Sequence, residues 1–193
     1  MVKISIIVPT LPDNENILNL QRCLTSLLKF KNVSHEYELV IVSNNWDGFS
    51  KPVNKGIRQS TGDYVLLLND DTEILAAGIE DIMLTPFFQD PTVMIVGHDR
   101  TIQHGKFSAL WCTMIRKELF NKIGLLDEDM NIFSQDIDLG YKCLKAGYKT
   151  VFVNAPIQHF GSVTTNKLKN AEDEKKKCKK VFYQKHGVFH DEV

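Results

Sequence analysis

The sequence predicts an α/β fold with a mostly parallel sheet flanked by helices. Three observations lead there. Strand-length apolar runs alternate with helical segments as strand, helix, strand, short helix, strand, the rhythm of a parallel sheet. The run Val65-Leu66-Leu67-Leu68 is continuously apolar, as a strand covered on both faces must be. Each of the first three strands ends in a polar turn: Pro9-Thr10, Ser43-Asn44-Asn45 and Asn69-Asp70-Asp71. In a parallel sheet these ends share one edge, where ligands bind.

The elements follow in order. Residues 3–8 are rich in Ile and Val and read as a strand stopped by Pro9. Asp13 or Asn14 can cap a helix over about 15–30, with Ile17, Leu20, Leu24, Leu27 and Leu28 on one face. Residues 37–42 form a second strand, 53–60 a short helix before Gly62, and 63–68 a third strand. In the second half, a helix lies within 74–88 and a strand over 92–96. A strand over 107–115 would contain Trp111, and a helix over 116–123 closes at Gly124. Residues 137–146 are helical, 150–153 form a last strand, and 167–186 form a polar, lysine-rich helix. No internal repeat or linker appears, so 1–193 reads as one domain. Within it, 1–72 form a ligand-binding half, 73–165 a second half and 166–193 a C-terminal polar helix.

Composition limits the function. The chain has 193 residues, 43% hydrophobic and 24% charged, which is enough for one proper core. A net charge of −1 gives no global field toward nucleic acid or a membrane surface. No run approaches the ~20 apolar residues of a membrane span, and the short apolar N-terminus lacks the features of a signal peptide. Cys23, Cys112, Cys143 and Cys178 are widely spaced, which points to reduced thiols in a cytoplasm rather than a zinc or redox motif.

Four constellations could carry chemistry. Asn69-Asp70-Asp71 sets two adjacent carboxylates at a strand end. A hard divalent cation would justify that pairing, completing its shell with phosphate oxygens and water; a solvated turn capping the next helix also explains it. Gln135-Asp136-Ile137-Asp138 opens a helix. There the macrodipole favours acids as caps, or one acid is a general base. Two positions apart, the acids cannot both face a substrate. His159 follows a strand and a Pro-containing turn; it is either structural or a metal ligand. The C-terminal lysines read as a solvated face, or as a contact for a diphosphate, an acidic acceptor or a membrane surface.

In this order, the residues resemble the inverting glycosyltransferases of family 2. The matching pieces run from Ile4 to Thr10, through Glu38 to Asn45, Gly48-Phe49 and Asn54-Lys55-Gly56-Ile57. They continue through the string from Gly62 to Asp71, Arg116 to Phe120, Ile123-Gly124 and Leu126-Asp127-Glu128. Gln135 to Lys142, Ala146-Gly147-Tyr148 and His159 complete the series, covering about residues 3–165.

The resemblance implies the GT-A fold, with a Rossmann-like nucleotide-binding half, and a metal-dependent hexosyltransferase. It implies Mn²⁺ or Mg²⁺ held by Asp71 and His159, with Asp71 ending the acidic DXD motif. Pro9, Thr10, Ser43, Asn44, Asn45, Asn54, Lys55, Asn69 and Asp70 would bind the nucleotide-sugar donor, most simply a UDP-sugar. Asp136 would be the base, and Gln135 and Asp138 would meet the acceptor, a glycan, lipid-linked sugar or other hydroxyl compound. Trp111 either stacks on an acceptor sugar or is a buried core residue. Neither nucleic acid nor an integral membrane segment is expected, though the protein could sit at a membrane surface.

The chain departs from the pattern at Ser43, where relatives commonly carry Asp, at Asn69 in place of Asp, and at Gln135 in place of Glu. The path from Asn45 to Gly48 is also short. It suggests a pared-down nucleotide half of the sort a compact genome, such as a virus's, would keep. These departures leave open a degenerate nucleotide-sugar binding module. A nucleotidyltransferase is the other alternative, but Pro9-Thr10-Leu11-Pro12 is not the glycine-rich loop it would favour.

Overall fold

The computed structural model describes residues 1–43, 48–98, 107–161, 170–189 and 192–193. The main sheet is built from β1 (Lys3–Thr10), β2 (Glu36–Ser43), β3 (Tyr64–Leu68), β5 (Val93–His98), β6 (Cys112–Arg116) and β7 (Lys149–Val153). Two three-residue strands, β4 (Thr72–Ile74) and β8 (Ile157–His159), form a separate small sheet. The helices are α1 (Asn14–Phe30), α2 (Ser50–Gln59), α3 (Ile79–Gln89), α4 (Leu119–Ile123), α5 (Gln135–Lys145) and α6 (Ala171–His186).

The strand order is β2-β1-β3-β6-β5-β7. β1 runs parallel to β2 and β3, and β5 parallel to β7, while β6 is antiparallel to both of its neighbours. The sheet is therefore mostly parallel with one reversed strand. β3 is buried at every residue, as its apolar run requires. One face of the sheet packs Ile4, Ile6, Val8, Leu66 and Leu68 against Cys23 and Leu27 of α1 and Met83 and Phe87 of α3. The other packs Ile7, Val65 and Leu67 against Val53 and Ile57 of α2 and Leu139 and Cys143 of α5.

Asp13 caps α1, its carboxylate accepting from the Asn16 amide at 3.0 Å. Several boundaries differ from the sequence reading. The strand expected over 107–115 begins only at Cys112, so Phe107 and Trp111 precede it. Thr113 holds the approach: its hydroxyl donates to the Ala109 carbonyl at 2.9 Å, and the Ser108 hydroxyl lies 2.7 Å from it, across a turn at residues 110–111. The helix expected over 116–123 is confined to Leu119–Ile123. Of the C-terminal helix expected over 167–186, residues 167–169 lie outside the described residues; α6 begins at Ala171.

The start of α2 is tied to the loop before α5. The Phe49 and Ser50 amides donate to the Asn131 carbonyl at 2.7 and 3.1 Å, and the Ser50 hydroxyl donates to the Met130 carbonyl at 3.0 Å. Gly48 makes this approach feasible. Its φ is +84°, and a Cβ there would lie 2.1 Å from the Asn131 side chain. Gly48→Ala is expected to cost about 2 kcal/mol, from the left-handed backbone and the crowding together. Thermal unfolding should then begin about 4–8 °C lower.

At the opposite end of the sheet, Glu38 ties β2 to the turn before β3. It accepts from the Ser5 hydroxyl, the Thr61 amide and hydroxyl, and the Gly62 amide. Desolvation pushes its carboxyl up, but these donors outweigh it and hold the group at about 2 rather than the ordinary 4.5. A lowered folded-state value contributes stability above pH 4.5 that is lost as pH falls from 4.5 toward 2. Glu38→Gln should therefore lower stability by about 1–2 kcal/mol at neutral pH. The difference should shrink over that acidic window, as followed by urea unfolding at several pH values.

Candidate active site

The acidic turn and β8 meet through the small sheet. Thr72 of β4 pairs with His159 of β8, and the Phe160 amide donates to the Asp71 carbonyl at 2.9 Å. This register sets the Asp71 carboxylate beside the His159 ring, Oδ1 to Nε2 at 3.0 Å. The contact is off the line a hydrogen bond needs, and both atoms are buried without a hydrogen-bond partner. The Arg22 guanidinium lies 3.7 Å from the Phe160 ring centroid and holds the residue after His159 against α1.

Trp111 stacks on the His159 ring, centroids 4.6 Å apart and planes within 4°. His98 is tilted against the same indole, centroid 4.9 Å away, and its Nε2 lies 2.9 Å from the Ala155 carbonyl. The main chain completes the link: the Asn69 amide donates to the Trp111 carbonyl at 2.8 Å. Trp111 is buried. Of the two places expected for Trp111, an acceptor sugar or the core, it takes the buried one and walls the His159 ring.

Asp70 is buried and turns away from Asp71's partner. Its Oδ2 accepts from the Thr10 hydroxyl at 2.7 Å and the Asn16 side-chain amide at 3.0 Å. These bonds join the ends of β1 and β3 to the first turn of α1. Burial is the largest influence on its carboxyl and pushes it up, and Asp71 adds to that, while Thr10 and Asn16 pull it down. Thr10 and Asp70, expected as donor contacts, therefore spend their hydrogen bonds on each other. Asn16 went unnoticed in the sequence, where it is one more polar residue in a helix start.

The remaining donor candidates divide. Pro9 is buried in β1, Asn69 is half-buried, and Ser43 and Lys55 are exposed. Asn44 and Asn45 lie outside the described residues. Asn54 is engaged within the chain: its amide donates to the Leu126 carbonyl at 2.8 Å and to Glu128 at 3.0 Å, and its oxygen accepts from the Leu126 amide at 3.0 Å. A buried side chain so fully engaged is a clasp between α2 and the loop after α4.

Asp136 sits half-buried in the first turn of α5, where the helix N-terminus favours a carboxylate. Its Oδ1 accepts from the Ile137 amide at 2.9 Å. The residue capping α5 is Ser134, with φ 66°, the one non-glycine described residue in the left-handed region. Such backbone strain persists only where the surroundings enforce it, often at functional sites. Gln135 is half-buried, with its side-chain oxygen buried and lacking a hydrogen-bond partner. Asp138, expected at the acceptor, is buried on the far side of the helix. It contacts His186 Nε2 of α6 and Lys142 Nζ of α5 itself, each at 2.7 Å, and so ties α5 to α6.

The residues suit a divalent ion. Asp71 Oδ1 and His159 Nε2 are adjacent, buried and unsatisfied, and a carboxylate with an imidazole accepts Mn²⁺, or Mg²⁺ less readily. Among the described residues, no group of three or more His, Cys, Asp or Glu is placed to hold a metal. Any ion at this pair would need outside oxygens, as ions bound with phosphates do.

The fold is similar to those of several solved glycosyltransferases. The mannosyltransferase PcManGT from Pyrobaculum calidifontis, in complex with GDP-Man and Mn²⁺, matches with TM-score 0.62 and 15% identity, over 79% of this chain and 55% of that one. GalNAc-T7 with UDP, GalNAc and Mn²⁺ matches with TM-score 0.65 and 14% identity, over 82% and 44%. TarS of S. aureus matches with TM-score 0.62 and 17% identity, over 83% and 37%. The architecture is thus the GT-A fold.

Residues 36–187 match the model of glycosyl transferase family 2, and the chain belongs to that family. It is also 22% identical to the uncharacterized protein y4gI of Sinorhizobium fredii, over 94% of this chain and 27% of that protein. The chain therefore spans only part of the length of these relatives.

Proposed function

We propose that the chain is a metal-dependent, inverting glycosyltransferase. It would move a hexose from a nucleoside-diphosphate sugar, most simply a UDP-sugar, to a hydroxyl of a glycan, a lipid-linked sugar or a similar acceptor. The observation that carries this reading is the buried, unsatisfied pair Asp71 Oδ1 and His159 Nε2 at the strand ends of a GT-A fold. Two of the similar structures hold Mn²⁺ with a nucleotide or nucleotide sugar.

In this reading residues 1–72 form the nucleotide half and 73–165 the acceptor half. Asp71 and His159 would hold Mn²⁺ or Mg²⁺, which would supply charge to stabilise the departing diphosphate. Trp111 keeps the His159 ring in plane, and Thr10, Asn16 and Asp70 keep the acidic turn at the end of β1. The exposed Ser43 and Lys55 meet the nucleotide. Asp136 takes the proton from the acceptor oxygen as that oxygen attacks the anomeric carbon from the face opposite the diphosphate. The new glycosidic bond forms as the bond to the diphosphate breaks, so the configuration inverts. Four free, buried cysteines fit a reducing compartment such as the cytoplasm. No described helix is long and apolar enough to cross a membrane.

The test is hydrolysis of a panel of UDP- and GDP-sugars with Mn²⁺, water standing in for the acceptor. Release of nucleoside diphosphate that stops with chelator is expected for at least one donor. Turnover unaffected by chelator would refute the metal assignment.

A further inference from the structure

We infer that α6 is a brace that positions Asp136, with His186 as its principal positioning residue. This inference rests on the reading of Asp136 as the base. The loop from Leu125 to Ser134 carries the chain into α5, and its last residue has the strained φ of 66°. Nothing in the local sequence favours that conformation: serine gains little from the left-handed region. The surroundings must hold it.

Two sides do so. On one, α2 grips the loop through Asn54 at Leu126 and through the Phe49 and Ser50 amides at Asn131. On the other, α6 does. Lys185 bonds Asp127, and lies 3.1 Å from Asp129. His186 Nε2 meets Asp138 Oδ1 at 2.7 Å, and Lys142 joins the same carboxylate at 2.7 Å while donating to the Leu125 carbonyl at 3.0 Å. Cys178 and Phe182 of α6 belong to one cluster with Phe107, Met130 of the loop and Ile137, the residue after Asp136.

His186 is the part of this brace that acts on α5 itself. Asp138 is 1% exposed, and a carboxylate so buried needs its partners. The His186 ring is itself packed edge-on against Tyr141 at 4.9 Å and tilted against Phe182 at 4.6 Å. Its nitrogen thus reaches Asp138 from a fixed place. Asp138 is in the same helical turn as Asp136, so a shift of Asp138 carries Asp136 with it.

The experiment compares His186→Ala with His186→Gln, which retains a side-chain N–H for Asp138. Amide hydrogen exchange over 126–138 is expected to quicken about tenfold in the Ala variant and to return toward wild type in the Gln variant. Exchange over 64–72, across the acidic turn, should stay unchanged in both, which also shows that the variants are folded. With UDP-glucose and Mn²⁺, kcat should fall about tenfold in the Ala variant with KM kept, because a base misplaced by ~1 Å loses up to about 100-fold. Exchange over 126–138 that stays at the wild-type rate in His186→Ala overturns the brace. A change in KM in place of kcat overturns its action on the base. Asp136→Asn, run beside them, separates the two ideas: full turnover in that variant refutes the base assignment on which the inference rests.

Discussion

Asp136→Asn is expected to lower turnover at least ~100-fold, the scale of a lost general base, while nucleotide binding and thermal stability stay near wild type. The reason lies in how Asp136 is held. The side chain is half-buried in the first turn of α5, tied to the Ile137 amide and placed at the positive end of the helix. An amide of the same shape can still accept from Ile137, so the turn survives. It cannot take a proton from an attacking hydroxyl. Asp138→Asn should behave in the opposite way, since its carboxylate is committed to His186 and Lys142. It should cost stability first and activity only as a consequence. Parallel kinetics and melting of the two variants distinguish the carboxylates; loss of activity through Asp138 alone would move the base.

Asp71→Ala is expected to weaken Mn²⁺-dependent nucleotide binding by at least ~100-fold, beyond the usual cost of disturbing a metal's outer partners. UDP affinity in the variant should equal that of the wild type in chelator. His159→Ala should show a smaller loss, because it removes a neutral ligand and leaves the carboxylate. Stability carries an independent sign. If Asp71 and His159 were simply a structural ion pair, removing one partner would destabilise the metal-free protein. If they are metal ligands, Asp71→Ala removes a buried carboxylate oxygen without a hydrogen-bond partner and should leave the metal-free protein as stable or more stable. Added Mn²⁺ with UDP should raise the melting temperature of the wild type and leave that of the variant unchanged.

Much of this architecture is readable in the sequence, for physical reasons that differ by element. β3 announces itself because burial on both faces demands an unbroken apolar run. α1 does so because its cap and its apolar stripe lie within one short segment. β4 and β8 are silent: each is three residues long, and they pair across most of the second half, Thr72 with His159. That pairing brings His159 to Asp71, and no local signal reports it. Only the ordered likeness to a family placed the two residues in one site.

Three candidates that lie inside the chain share a cause. Asn54, Trp111 and Asp138 are polar or amphipathic residues in sequence contexts that suit ligand binding. Each turned out to be buried against another part of the chain, at Leu126, His159 and His186 respectively. A buried polar group needs a partner, but sequence does not say whether that partner is a ligand or the protein. The left-handed Ser134 was equally hidden, since its conformation comes from the loop's long-range attachments and not from its own preference.

Crystals grown with Mn²⁺ and UDP, and measured at the manganese absorption edge, test the account most directly. One anomalous peak is predicted within bonding distance of both Asp71 Oδ1 and His159 Nε2, with diphosphate oxygens completing the shell. Density for UDP with no manganese at that pair, or manganese bound at a different set of side chains, would contradict it.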